Sequence, residues 1–171
     1  MAVYANARGV PTLYEIPNFE ILLYCGYDNA GNLFADGTGG TQHLDFFELP
    51  YDGSSLEDLS IDQSVGDPGQ VQWDGSHITI QDAAAPGSIY QLEVSGSAAS
   101  VIGTTQLGGI TGFSGQSWIQ RNTVIVGSKP RGQHSNIRFW RYPAGGKAYK
   151  LIRGYPGGAM VLGLTVSLAK R

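Results

Sequence analysis

The sequence predicts an all-β fold, and three observations set that expectation: an excess of glycine, a scarcity of charge, and apolar-aromatic segments that alternate with the period of a strand. Glycine supplies 25 of 171 residues, and Lys, Arg, Asp and Glu together make up only 15%. The glycine share is roughly twice the usual ~7%. A helical bundle needs charged, strong helix formers, and each interior glycine costs about 1 kcal/mol relative to alanine in a helix. Short strands joined by glycine turns accommodate the same composition. The length suits a single core.

Four segments share an apolar, aromatic, polar, apolar pattern: Leu13-Tyr14-Glu15-Ile16-Pro17, Phe46-Phe47-Glu48-Leu49-Pro50, Ile89-Tyr90-Gln91-Leu92-Glu93 and Phe139-Trp140-Arg141-Tyr142-Pro143. Alternation places Tyr14 with Ile16, Phe47 with Leu49, Tyr90 with Leu92, and Trp140 with Tyr142 on one strand face, as for sheets packed over a core. Proline after three of the four fits a strand end, where a missing amide breaks no ladder.

The aromatic positions 14, 47, 90 and 140 are 33, 43 and 50 residues apart. A second alignment is tighter: Tyr27-Asp28 and Trp73-Asp74 are 46 residues apart, Asp36 and Asp82 repeat that interval, and Ile119-Gln120 follows after another 46. Asp28-Asn29-Ala30-Gly31-Asn32 and Asp74-Gly75 read as tight turns, since Asp and Asn hydrogen-bond locally and Gly accepts positive φ. They feed strands predicted over Asn32–Ala35 and His77–Gln81, and Arg121-Asn122 turns into a third over Thr123–Val126. The chain is laid out as one repetitive domain over 1–171: a partial unit at 1–17, units at 18–55, 56–103 and 104–150, and a partial unit at 151–171, with Ala159–Leu168 rich in strand formers.

These spacings, the aromatic strand endings and the run from Asp28 to Asp36 resemble the NHL-like and SMP-30-like β-propeller repeats of bacterial proteins, over about residues 18–168. The resemblance implies radial four-stranded blades, and functions that range from binding scaffolds to sugar-lactone hydrolysis. The fold class expected is therefore a β-propeller or partial propeller with about four blade-like units. Six blades at this spacing need roughly 250–280 residues. The chain is then a fragment of a longer ring, a compact four-unit form, or a subunit whose open edges are completed by oligomerisation.

Charge bears on the last option. Residues 1–93 hold all 14 acidic residues and only Arg8 as a base, whereas 94–171 hold ten Lys or Arg and no acid. Two copies meeting head to tail would complement each other, so a homo-oligomer through open propeller edges stands among the expected partners beside a protein or small ligand, with a charge division that has no assembly role as the alternative.

Candidate chemistry is sparse. Cys25 is the single cysteine; it lies in the apolar run Ile21-Leu22-Leu23-Tyr24 and reads as a buried structural thiol rather than a nucleophile. His43, His77 and His134 lack metal-ligand spacing. Asp28, Asp36, Asp74 and Asp82 would ligate a cation if their loops converged, but beside glycine turns they read first as local hydrogen-bond acceptors. In the SMP-30-like lactonases a metal is held by Glu, Asn and Asp, and no motif carries those residues over to this chain. Gly37-Thr38-Gly39-Gly40 and Gly108-Gly109-Ile110-Thr111-Gly112 lack the lysine and the strand-to-helix setting of a phosphate loop. Lys129, Arg131, Arg138, Arg141, Lys147, Lys150 and Arg153 alternate with Phe139, Trp140, Tyr142, Tyr149 and Tyr155, a mixture that suits nucleic acid, but strand alternation buries some of these rings, so nucleic acid is an unlikely partner.

The function expected is a noncatalytic propeller-like scaffold that binds a protein, glycan or small ligand through loops, with a hydrolase or isomerase using a central site as the alternative. No catalytic, cofactor or metal residue is assigned, and no cofactor is expected. No stretch reaches the roughly 20 apolar residues of a membrane span. The compartment stays open, export included if the chain derives from a longer precursor.

Overall fold

Turn chemistry and period-2 alternation together build an almost entirely antiparallel structure. The computed structural model describes residues 1–4, 8–15, 19–39, 44–112, 114–128, 135–153 and 161. Strands β1 (Ala2–Val3) and β2 (Thr12–Leu13) form a separate hairpin. A first meander follows, made of β3 (Phe19–Tyr27), β4 (Leu33–Gly39), β5 (Leu44–Leu49) and β6 (Glu57–Asp58). After the short β7 (Ser60–Ile61) comes a second meander, β8 (Val71–Trp73), β9 (Ile78–Asp82), β10 (Ser88–Ser95) and β11 (Ala98–Gly108). The third comprises β12 (Ser114–Gln120), β13 (Thr123–Ser128), β14 (Asn136–Arg141) and β15 (Gly145–Ile152).

The second and third meanders are one sheet. β11 pairs in parallel with β15, Leu107 opposite Gly146 and Gly108 opposite Lys147, so eight strands run in the order β12-β13-β14-β15-β11-β10-β9-β8. They turn 317° round an axis, a barrel that lacks only the ladder between β8 and β12. Inside lie Ile89, Leu107, Ile110, Ile119, Val124, Val126, Trp140 and Tyr142. The first meander packs outside it. Its Phe34 and Phe46, with Leu59, meet Val71, Ile78, Ile80, Tyr90 and Leu92 in a second core. Gly26 lets β3 approach β8 there, since a Cβ would stand 2.6 Å from the Val71 carbonyl oxygen.

This arrangement corrects the propeller expectation. Separate blades would keep each meander as its own sheet, whereas the β11–β15 pairing merges two of them into a near-closed barrel. The four blade-like units become three four-stranded meanders. The 46-residue interval falls at the first hairpin of each, because Tyr27 and Trp73 end β3 and β8, and Ile119 stands one residue before the end of β12. The NHL-like and SMP-30-like resemblance loses its structural basis, and so do the scaffold and central-site functions that rested on it.

Within the strands, the aromatic face assignments hold in three of four cases: Phe47 with Leu49, Tyr90 with Leu92, and Trp140 with Tyr142 are buried pairs. Phe47 and Leu49, however, sit opposite Ala35 and Leu33 on the face of the first meander away from its core with the barrel. Ile16, the partner of Tyr14 in the fourth pair, and Pro17 after it lie outside the described residues, as does most of Ala159–Leu168. Val161 is the described member of that segment and lies against Gly127. Among the described residues no helix is long and apolar enough to cross a membrane.

Candidate functional site

The repeated aspartates take backbone amides. Asp28 Oδ1 accepts from the amides of Ala30 and Asn32 at 2.9 Å each, with Gly31 at φ 91° completing the turn. Asp74 Oδ1 accepts from Ser76 and His77 at 2.8 Å, and Asp82 from Gly66, Asp67 and Ala84. Asp36 differs, since it bridges layers: Oδ1 accepts from the Tyr24 amide in β3 and Oδ2 from the Gly69 amide ahead of β8, each at 3.1 Å. Its side chain is fully buried, and that burial pushes its carboxyl up to about 8 against the pull of the two amides. The four aspartates do not converge, and among the described residues no group of three His, Cys, Asp or Glu could hold a metal ion.

One polar cluster joins second and third meanders and was not visible in the sequence. Tyr142 Oη donates to Asp74 Oδ2 at 2.5 Å, and Gln91 Nε2 donates to the same oxygen at 2.8 Å. Burial and the adjacent carboxylate hold the Tyr142 phenol far above its ordinary range. Burial also pushes Asp74 up, but the bonds from Tyr142, His77, Ser76 and Gln91 outweigh it and hold the carboxyl low. A phenol held as donor against a carboxylate held as acceptor ties the third meander to the second. His77 Nδ1 is buried beside this turn with no hydrogen-bond partner among the described residues.

A second cluster closes the barrel. At the unladdered seam Gln72 donates from Nε2 to the Ile119 carbonyl at 2.7 Å and accepts at Oε1 from the Ile119 amide at 2.8 Å. The side-chain carboxamide thus stands in for a backbone peptide between β8 and β12. Gln81 Nε2 donates to Ser114 Oγ nearby, and Ser114 reaches the Ala83 carbonyl.

Cys25 corrects another expectation. It is exposed on the outer face of β3, with Ile21, Leu23 and Tyr27 also exposed on alternate residues. Partial enclosure, then the Asp36 charge, push its thiol up, away from nucleophilic use. It borders a cavity of about 250 Å³ under the β1–β2 hairpin, beside one of about 460 Å³; they share Val3, Tyr4, Tyr27 and Leu33. Among the described residues no acidic or basic side chain lines either cavity.

Charge is distributed quite differently. Residues 19–58, the first meander, carry eight acids and no Lys or Arg, whereas residues 114–152, the third, carry seven Lys or Arg and no acid. Glu48 and Glu57 stand directly opposite in the β5–β6 ladder, an unfavourable like-charge pair. Burial, then Glu57 and Asp28, push the Glu48 carboxyl up, and burial, then Arg153, push the Arg138 guanidinium down. The bases find rings and carbonyls instead of acids. Arg141 stacks over Tyr149 at 4.7 Å, Lys150 over Phe139 at 4.8 Å, and Arg138 donates to the Gly109 carbonyl. No ion pair joins the two sets among the described residues. His43, His134, Lys129, Arg131 and Tyr155 lie outside the described residues, while Trp140 and Tyr142 are buried in the barrel and offer nothing to a base stack. The sequence matches no protein-family model and no curated protein.

Proposed function

We propose that the chain is a self-associating module, in which the acidic first meander of one copy meets the basic third meander of the next. One observation carries this reading: each of these meanders holds charges of a single sign, some crowded against one another, and no ion pair joins the two meanders among the described residues. Like charges repel within each meander, and the opposite fields of two copies attract, speeding encounter and fixing orientation.

Sedimentation velocity at ~0.05 M and ~0.5 M salt tests it, because exposed charges are screened beyond about 10 Å at 0.1 M. The expected result is a species heavier than one chain at low salt that dissociates as salt rises. A monomer at both concentrations overturns the reading.

A further inference from the structure

We propose that the open edge of β15 is the docking strand of this assembly and that it takes the acidic β5–β6 edge of a second copy. The inference rests on the self-association above and names its two surfaces. β15 pairs with β14 along one side, but on the other it meets β11 only at Gly146 and Lys147. Beyond that point the edge of Ala148–Ile152 has no strand partner among the described residues. An open edge presents amides and carbonyls that will pair with any strand able to lie along them.

The side chains on this edge select which strand that is. Lys147, Lys150 and Arg153 are exposed, together with Tyr149 (48%), Leu151 (37%) and Ile152 (39%). Cations of one sign deter two β15 strands from pairing with each other, while apolar surface between them gives a correct partner something to bury. The complementary strand is in the same chain. β6 is the last strand of its sheet, its Glu57 and Asp58 are exposed, and Asp52 and Asp62 are exposed on either side of it. Lys147 and Lys150 against Glu57 and Asp58 would relieve the Glu48–Glu57 repulsion as well as the crowding of bases. The two surfaces differ, so the contact is heterologous and each copy keeps one of each; association continues into a ring or an open chain.

The test uses the full chain and two charge-reversed variants, Lys147→Glu/Lys150→Glu and Glu57→Lys/Asp58→Lys, each first confirmed as folded by circular dichroism and thermal melting. At ~0.05 M salt each variant alone is expected to self-associate at least ~10-fold more weakly than the wild type, and an equimolar mixture of the two to regain association. Hydrogen exchange supplies a second readout: in the wild type the Ala148–Ile152 amides should gain protection as concentration rises. If the wild type associates but both variants do so equally well, these surfaces are wrong while self-association stands. A wild-type monomer at every salt removes both. Concentration-independent protection of Ala148–Ile152 means that the chain covers its own edge, which also overturns the assignment.

Discussion

Asp36 should make the stability of this protein fall as pH rises through neutrality. The carboxyl is fully buried where the first meander meets the barrel, and its pKa is raised from 3.8 to about 8. A group that binds its proton more tightly when folded contributes stability that is complete below the unfolded pKa and is lost as pH climbs through the folded one. Here the window runs from about pH 4 to about pH 8. At ~1.4 kcal/mol per unit, the loss across it is on the order of 5 kcal/mol, much of the net stability of a small domain. Urea unfolding of the wild type and Asp36→Asn from pH 5 to pH 9 measures it. Asparagine cannot ionise, but its NH₂ faces one of the two amides that the carboxyl oxygens now accept, so the variant should be less stable by about 1–3 kcal/mol at pH 5. Its pH profile should be flatter, and the two curves should cross or converge by pH 9. A wild-type midpoint that does not fall, or an Asn variant with the same slope, refutes the reasoning. Titrations not coupled to Asp36 are common to both proteins and cancel in the comparison, while Tyr24 and Cys25, which feel its charge, are both pushed above their ordinary ranges and so beyond most of this pH window.

Two further substitutions probe the barrel. Trp140→Ala removes a side chain that is 0% exposed and donates from Nε1 to the Gly108 carbonyl, so it should cost about 3–5 kcal/mol in urea unfolding; a loss below 1 kcal/mol would place the ring outside the core. Gln72→Ala cuts both hydrogen bonds across the seam and should cost about 1–3 kcal/mol, with faster hydrogen exchange at the Ile119 amide. Unchanged exchange at Ile119 would show that the seam is held by other contacts.

What the sequence disclosed was local. Asp28 and Asp74 could be read as turn residues because their bonds run two to four residues along the chain, and Trp140 with Tyr142 share a face because a strand's period is two. What stayed hidden was pairing at a distance. The parallel contact of Leu107 with Gly146 turns meanders into a barrel, yet it leaves no periodic trace in either segment. Tyr142 and Asp74 are 68 residues apart, and Gln72 resembles any half-buried strand glutamine until Ile119 is brought beside it. Cys25 was illegible for a different reason: an apolar run does not by itself mean burial, and β3 is an edge strand whose outer residues face solvent or the cavity under the hairpin. The division of charge was fully legible, but its crowding at Glu48–Glu57 and Arg138–Arg153 required the register.

The second meander serves both cores through neighbouring residues of one strand: Ile89 points into the barrel, and Tyr90 and Leu92 point out to the first meander. Neither core can dissolve without stripping one side of that shared wall. The molecule should therefore melt as one cooperative unit despite its three-part layout. A chain that had emerged from the ribosome only as far as β11 would carry the barrel-facing side of that wall bare, and would depend on the third meander, β12 to β15, to cover it.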